Sequence, residues 1–382
     1  MSDVAVLLRK LGEVAARPAD DGLSLPPDLY TNSAVLEAER AAIFRRDWLC
    51  VGRADKISQA GDYFTTQVDT VPLLLVRQDD GGIRAFANVC QHRLAAVAEG
   101  CGNASSFSCP YHGWTYDIDG RLVTAPRMPR TFDPRARRLA ESRCEVWNGF
   151  IYISLDPSAP ALAPQLSELA KVLAPYRMGD MRTVTEGREV WNTNWKILTE
   201  NFLEAYHLNA THSTTLLPIA PSRNVRMTEG SAAYHFYEHR LADTVTPVPF
   251  DPIHGIVNPD LTDDVRQTAW VGGVFPSHVF SVVWDWVFWL SLQPQGTDQV
   301  IVEHGVAAPL RFDRHAPLLY DHPNLYFLPL ITRVNAEDRA RVEAVQVGAR
   351  SGWGRQSALH PHEATLSTFA RYLYRRLSGD NE

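Results

Sequence analysis

The rhythm of hydrophobic and polar positions changes several times along the chain. The opening stretch "MSDVAVLLRKLGEVAARPADDG" reads as a short amphipathic helix. Residues 24–50, "SLPPDLYTNSAVLEAERAAIFRRDWLC", follow a proline-rich lead-in with helical spacing of Leu36, Ala41, Ile43 and Phe44. From Val51 to Leu155, short β-rich runs ("PLLLVRQ", "IRAFANV", "FIYISL") alternate with Gly, Asp and Asn turns, the texture of a small all-β domain. "QDDGGI" (78–83) and "DIDGRL" (117–122) predict hairpin turns, and "DPSAPALAP" (156–164) a linker. Beyond it, "LSELAKVLAPY" and "NWKILTENFLEAYHL" (194–208) predict helices, residues 231–240 and 279–308 predict aromatic-rich strands, and two more helices close the chain. Strands flanked by helices predict an α+β layer in which an antiparallel sheet grips a helix.

Bulk composition narrows the function classes. A chain of 382 residues is long enough for two or three domains. A net charge of −7 argues against nucleic acid or an anionic membrane as partner. No apolar run approaches the ~20 residues of a membrane span, and the N-terminus lacks the regions of a signal peptide. Five cysteines (50, 90, 101, 109 and 144) are too few and too odd for a disulfide framework, so a reducing, cytoplasmic setting is expected.

Two of those cysteines sit in a pattern that carries chemistry. "NVCQHRLAAVAEGCGNASSFSCPYHGW" (88–114) holds Cys90-x-His92, sixteen residues, then Cys109-x-x-His112. Structural zinc sites usually pair Cys with Cys and His with His. Here each half offers one of each, which suits a metal pair with inequivalent ends, as in a [2Fe–2S] centre where two imidazoles replace two thiolates on one iron. Pro110, Gly113 and Gly149 fit close backbone approach around sulfurs, while Trp114 and Tyr116 are placed to wall off solvent. The pattern C-x-H-x16-C-x-x-H followed by G-W-x-Y-D-x-D-G resembles the Rieske domain of the Rieske non-haem iron oxygenases, the ring-hydroxylating oxygenase α-subunit family. The resemblance implies Cys90, His92, Cys109 and His112 as cluster ligands. One position departs: the family usually has Arg-Gly after the first histidine, and this chain has Arg93-Leu94. Leucine lacks glycine's freedom at positive φ, so that loop is expected to differ slightly. Cys101 reads as loop filler and Cys144 as a strand residue.

A second constellation lies in "NWKILTENFLEAYHLNATH" (194–212), with Asn201, Glu204, His207 and His212. The bland alternative is a buried amphipathic helix with two hydrogen-bonded histidines. Glu204 and His207, three apart, are expected on one helix face. His207 and His212 stand about 140° apart on a regular helix of 3.6 residues per turn, so they converge only if the helix ends between them, and "LNAT" is poor helix sequence. Two histidines and a carboxylate form the facial triad of non-haem Fe(II) oxygenases. This stretch also resembles the family's N-W-K-x-x-x-E-N-x-x-[DE]-x-Y-H-x4-H motif. That match implies His207 and His212 as iron ligands. It implies Asn201 as an amide near the iron, and Glu204 as the acid bridging His207 to His112 of the neighbouring subunit. The third ligand is implied to be an Asp opening a late helix with a Val-Gln step. Asp338 in "NAEDRARVEAVQVGARS" fits, with Glu337 as rival, although acidic residues also favour first helical turns for dipole reasons alone. Tyr206 reads as a packing residue.

The implied fold is a helical N-terminal segment (1–45) packing on the catalytic domain, an all-β Rieske domain (46–155), and a catalytic domain (156–382) of the helix-grip (START/Bet v1-like) class. The implied cofactors are a [2Fe–2S] cluster and a mononuclear Fe(II), with O2 as co-substrate. The chain contains no convincing G-x-G-x-x-G after a strand, so NAD(P)H and flavin are assigned to a separate flavin- or ferredoxin-type reductase. A homotrimer, with or without small β-subunits, is implied. The expected activity is that of a terminal oxygenase: hydroxylation or oxidative demethylation of a small organic substrate. The alternatives are an aromatic-ring hydroxylating (di)oxygenase and, from another class, a non-enzymatic Rieske electron carrier. In "FSVVWDWVFWLSLQP" (280–294) a continuous strand is expected to put Trp284, Trp286 and Phe288 on one face and Trp289 on the other. Core packing explains such a strand, and so does a pocket wall for a flat aromatic or, by cation–π attraction, a quaternary ammonium. A Glu rather than an Asp at 204 resembles members that oxidise choline- or betaine-like compounds. His235, His239, His278, His304, His360 and His362 are further candidates for the pocket.

Overall fold

A computed structural model of the chain describes residues 3–245, 258, 261–284, 286–309 and 327–379. The chain divides into two compact units, Phe44–Ala163 and Met1–Ile43 together with Pro164–Glu382.

The smaller unit is all β. Its strands are β1 (Leu49–Arg53), β2 (Asp62–Val68), β3 (Val71–Arg77), β4 (Ile83–Ala87), β5 (Cys101–Asn103), β6 (Ser106–Ser108), β7 (Thr115–Asp117), β8 (Leu122–Thr124), β9 (Glu141–Trp147) and β10 (Phe150–Ser154). A seven-stranded sheet runs in the order β1-β10-β9-β4-β3-β2-β5, and a three-stranded sheet in the order β6-β7-β8. Leu73, Leu74, Leu75 and Val76 are buried without alternation, because β3 lies inside the sheet and is covered on both faces. Cys90 and Cys109 belong to one hydrophobic cluster with Phe86, Phe107, Trp114, Tyr116 and Leu139, so the two thiols lie in the core of this unit. Cys101 is an exposed strand residue in β5 rather than loop filler; Cys144 lies in β9.

The larger unit is built on a seven-stranded antiparallel sheet. Its strands are β11 (Arg182–Trp191), β12 (Val225–Met227), β13 (Tyr234–Arg240), β14 (Thr268–Val274), β15 (His278–Val283), β16 (Trp286–Pro294) and β17 (Val300–Ala308), in the order β11-β17-β16-β15-β14-β13-β12. The labelled helices are α1 (Asp3–Ala15), α2 (Ser33–Glu39), α3 (Trp195–Leu203), α4 (Leu208–Thr211), α5 (Phe327–Arg350) and α6 (Ala364–Ser378). Helix α3 packs on β14, β15 and β16, while α1 packs on α6. Trp195, Ile197, Leu198 and Leu203 are buried, each contributing about 2 kcal/mol of apolar burial.

Three sequence expectations change here. Residues 280–294 are two strands rather than one: Val283 pairs with Trp286 across a turn, and Trp284 stands at φ 53°. The helix expected over 194–208 ends at Leu203. Asp338 does not open its helix but sits in the middle of the 24-residue α5. The helix-dipole explanation for an acidic residue at 338 therefore falls away, because that effect is confined to the first turn.

Candidate metal centres

In the smaller unit, two tight loops present the four residues of the first motif. Each is closed by the backbone of its cysteine. The N–H of Leu94 reaches Cys90 O at 3.0 Å, and that of Gly113 reaches Cys109 O at 3.0 Å. Cys90 N donates to Ala95 O and Cys109 N to Trp114 O, each at 2.8 Å. Equivalent positions of the two loops thus require positive φ, and Leu94 takes φ 64° where Gly113 takes φ 70°. Leu94 takes the left-handed conformation that Gly113 takes in the second loop, at a cost of roughly 1–2 kcal/mol for a leucine. Gly149 does not belong to this site: a Cβ there would meet the Arg53 guanidinium at 2.8 Å.

The loops bring thiols inward and imidazoles outward. Cys90 and Cys109 are buried, His92 is half-buried and His112 is exposed. The His92 and His112 rings lie 4.5 Å apart, and Trp114 stacks on His92 at 4.8 Å. Tyr116 does more than exclude water: its hydroxyl lies 3.4 Å from Cys90 Sγ and accepts the Gln91 N–H at 2.9 Å. Desolvation, His92 and the Arg93 guanidinium all lower the pKa of His112, keeping the neutral form that ligates metal. Desolvation raises the Cys109 thiol, with Cys90 close enough to hydrogen-bond to it. The buried Nδ1 of His92 finds no hydrogen-bond partner among the described residues. A buried, unpartnered ring nitrogen in a pair of loops that also holds a second imidazole 4.5 Å away and two buried thiols fits a [2Fe–2S] cluster with unlike ends.

In the larger unit, the second site forms where α3 stops. Asn194 caps α3 by accepting the Lys196 N–H at 3.0 Å. Glu204 and Ala205 are good helix formers, yet Glu204 is extended (φ −126°, ψ 166°). Partners distant in sequence replace the helical bonds. Thr365 Oγ1 donates to Leu203 O at 2.6 Å, Ala205 N donates to His362 O at 3.2 Å, and the Tyr237 hydroxyl donates to Glu204 O at 3.3 Å. The chain then turns into α4, with His207 at its start and His212 just past its end. Glu204 and His207 therefore meet across a turn, not along a helix face. Glu204 Oε2 accepts the backbone N–H groups of Tyr206 and His207, and Oε1 lies 2.5 Å from His207 Nδ1.

Helix α5 supplies the acids. Asp338 Oδ1 lies 3.0 Å from His212 Nε2 and 3.5 Å from His207 Nε2, and accepts the Asn201 amide at 3.0 Å. One ligand atom from each of His207, His212 and Asp338 falls within 4.8 Å of the others. Glu337 stands behind the histidine: its Oε2 lies 2.8 Å from His212 Nδ1 and accepts the Thr215 hydroxyl at 2.7 Å. Burial lowers the pKa of His212, but the bonds to Asp338 and Glu337 outweigh it and the net shift is upward. The same two carboxylates attract a metal cation. With Nδ1–H donated to a carboxylate, each histidine leaves Nε2 for a metal, the tautomer a mononuclear iron requires.

The site opens on a cavity of about 180 Å³. Trp284, Trp286 and Phe288 line it, with Tyr237 and His239. Trp289 is buried and is not among the lining residues. Trp286 and Phe288 share a face of β16 as expected, whereas Trp284 arrives from the turn. Of the other candidate histidines, only His239 reaches the cavity among the described residues, and its Nε2 is held at 3.1 Å by Pro221 O. Tyr206 is half exposed and packs by stacking on His360 at 4.1 Å.

The "NWK" stretch (194–196) anchors the scaffold, through residues that pattern reading missed. Lys196 Nζ pairs with Glu39 Oε1 at 2.6 Å with both side chains buried, and Trp195 Nε1 donates to Glu39 Oε2 at 2.8 Å. Gln346, of the Val-Gln step, accepts the Asn194 N–H at 2.8 Å, tying α5 to the start of α3. Half-buried Glu200 accepts the Tyr30 hydroxyl at 2.7 Å.

Residues 47–141 match the Rieske [2Fe-2S] domain, and residues 174–379 match the ring hydroxylating alpha subunit (catalytic domain), more than half of the chain. The chain belongs to the ring-hydroxylating α-subunit family. Both the α+β fold class and the family resemblance expected from the two motifs are thereby established. Similar relatives include the glycine betaine monooxygenase oxygenase subunit of Chromohalobacter salexigens, 38% identical over 195 residues, which are 50% of this chain and 44% of the relative. The carnitine monooxygenase oxygenase subunit of Escherichia coli is 34% identical over 194 residues, 50% of this chain and 52% of the relative. The chain thus spans about half the length of the curated relatives it matches. The fold matches the quaternary ammonium Rieske monooxygenase CntA (TM-score 0.81, 22% identity, covering 95% of this chain and 98% of that chain). It also matches naphthalene 1,2-dioxygenase from Rhodococcus sp. (TM-score 0.79, 20% identity, 100% of both chains). The two family domains imply a Rieske cluster and a mononuclear iron. No helix among the described residues is long and apolar enough to cross a membrane.

Proposed function

We propose that this chain is the terminal oxygenase component of a multicomponent Rieske oxygenase. Its reaction is the O2-dependent hydroxylation or oxidative demethylation of a small quaternary-ammonium-like substrate, with electrons from NAD(P)H arriving through a separate flavin- or ferredoxin-type reductase. The observation that carries this reading is the cluster of His207, His212 and Asp338 in the wall of a cavity that Trp284, Trp286 and Phe288 also line. A non-enzymatic electron carrier has no use for such a cavity.

When bound, a cluster at Cys90, His92, Cys109 and His112 supplies single electrons, and an iron at His207, His212 and Asp338 supplies dioxygen activation. The chain's own residues do the rest. Glu204 accepts a hydrogen bond from the His207 Nδ1–H and Glu337 one from that of His212, orienting both Nε2 atoms toward the shared point. Asn201 holds Asp338 Oδ1 in place. Tyr116 donates toward Cys90, which withdraws electron density from that sulfur. The indole faces of Trp284 and Trp286 offer cation–π sites worth about 0.5–2 kcal/mol each. Among the described lining residues there is no Lys or Arg, so no side-chain cation opposes a cationic substrate. Relatives named for glycine betaine and carnitine support the same substrate class. Ring hydroxylation is the second reading, favoured by the flatness and apolarity of the same walls. The carboxylate of Glu204 is proposed to reach His112 of a neighbouring copy in a homotrimer, linking the two centres.

The test is metal analysis followed by reductase-driven turnover on betaines, quaternary ammonium compounds without a carboxylate, methoxybenzoates and simple arenes. About three irons per chain are expected from the two ligand sets. Demethylated or hydroxylated quaternary ammonium product supports the leading reading, and a cis-diol from an arene overturns it in favour of the second. Zinc in place of iron overturns both. His207→Ala is expected to lose the mononuclear iron while retaining the visible cluster spectrum.

A further inference from the structure

Residues 121–138, "RLVTAPRMPRTFDPRARR", hold six arginines against one aspartate, a local charge of +5 in a chain whose net charge is −7. The segment is a compact loop with joined ends. Arg121 and Arg138 form an antiparallel bridge, and Leu122 N donates to Arg137 O at 3.0 Å. Its interior lies against the cradle of the first metal site. A Cβ on Gly113 would stand 3.5 Å from Pro126, and Phe132 packs on Trp114 at 5.2 Å, whose other neighbour is His92. The loop therefore flanks the cradle on its Trp114 side.

All six arginines are exposed. Arg121 pairs with Asp119 and Arg138 with Glu141, but Arg127, Arg130, Arg135 and Arg137 have no ion pair among the described residues. Arg127 is held at φ 58°, an unfavourable conformation for a long side chain. Exposed apolar side chains accompany them: Val123 and Met128 on the loop, Leu94 and Tyr111 on the cradle. Arginine, methionine and aromatic residues over an apolar centre make the composition of a protein-docking surface. Four unneutralised cations in an otherwise acidic molecule select a partner with an acidic face and steer its approach.

We propose that this arginine loop is the docking surface for an acidic one-electron carrier protein, bringing its redox group up to the cradle on its Trp114 side and leaving His112 to the neighbouring copy. The proposal rests on reading the cradle as a [2Fe–2S] site. One electron leaves the reduced carrier and enters the oxidised cluster; no bond forms or breaks. A plant-type [2Fe–2S] ferredoxin lies lower in potential than a Rieske centre, so the transfer runs downhill.

The experiment measures binding of an acidic plant-type ferredoxin to the full chain between 20 and 300 mM NaCl, and in parallel the stopped-flow reduction of the cluster by that ferredoxin. Wild-type binding is expected to weaken steeply with salt. Arg127→Glu/Arg130→Glu/Arg135→Glu is expected to weaken binding and slow reduction at least about tenfold at low salt, and to flatten the salt dependence. Reduction by dithionite and the visible spectrum stay unchanged. The neutral triple variant to Gln is expected to fall between the two, and serves if the charge reversal does not fold. Equal affinity of wild type and variants overturns the proposal. So does salt-dependent capture of the chain by phosphatidylglycerol vesicles, lost in the triple variant, when ferredoxin does not bind. Absence of cluster absorbance in the wild type sinks the cluster reading instead, and the binding arm is read independently of it.

Discussion

Lys196→Met tests whether the buried ion pair with Glu39 holds the catalytic scaffold together. The two side chains are each 1% exposed and their charged atoms lie 2.6 Å apart. Removing the ammonium leaves a carboxylate in the core, and breaking a buried pair costs roughly 3–5 kcal/mol. The Trp195 indole still donates to Glu39 at 2.8 Å, which softens the loss toward about 3 kcal/mol. At about 2–4 °C per kcal/mol for a unit of this size, the melting temperature falls by roughly 6–12 °C. Glu39→Gln/Lys196→Met removes both charges, and the glutamine carbonyl still accepts from Trp195. That double variant is expected to recover at least about 2 kcal/mol of the single variant's loss. Urea titrations of wild type, both single variants and the double variant form the cycle. A loss under about 1 kcal/mol for Lys196→Met, or strict additivity in the double variant, refutes the assignment of the pair as the anchor of α3.

Burial raises the Glu200 carboxyl to about 7, against lowering by the Tyr30 hydroxyl and Lys196. The folded protein thus binds more protons than the unfolded chain between about pH 4.5 and 7, and stability falls as pH rises through that window. Glu200→Gln should reduce the drop in melting temperature between pH 5 and 8, and an identical drop refutes the shift. Glu337→Gln keeps a hydrogen-bond partner for His212 but removes its charge. Iron affinity is expected to weaken about 10–100-fold with the cluster spectrum kept, and equilibrium dialysis with Fe(II) reads it. Leu94→Gly relieves the left-handed leucine whereas β-branched Leu94→Ile aggravates it. The two variants should differ by at least about 1 kcal/mol in chemical denaturation, and equal stability refutes strain at this loop.

Much of the site was legible because ligand chemistry demands residue types at short spacing. Cys90-x-His92 and Cys109-x-x-His112 each occupy one tight loop, so local sequence holds the whole geometry of each half. His207 and His212 were legible for the same reason, as was the need for a break between them. The choice of Asp338 over Glu337 at the shared point rested on the family motif alone; spacing did not make it. The two are neighbours in one helix, and only the packing of α5 against α3 and α4 turns one toward both Nε2 atoms and the other to the rear of His212.

What the sequence determined by itself is therefore the short-range chemistry: the four-residue cradle, the two histidines, and the two-period and helical runs that divide an all-β unit from an α+β one. What only the tertiary structure decided is where helices stop and which face long-range partners present. Local propensity carries the helix through Glu204 and Ala205, yet Tyr237, His362 and Thr365 capture the backbone groups there and end it at Leu203. Hydrogen bonds from residues more than 30 positions away outweigh a propensity preference of a few tenths of a kcal/mol per residue, and no local pattern records them.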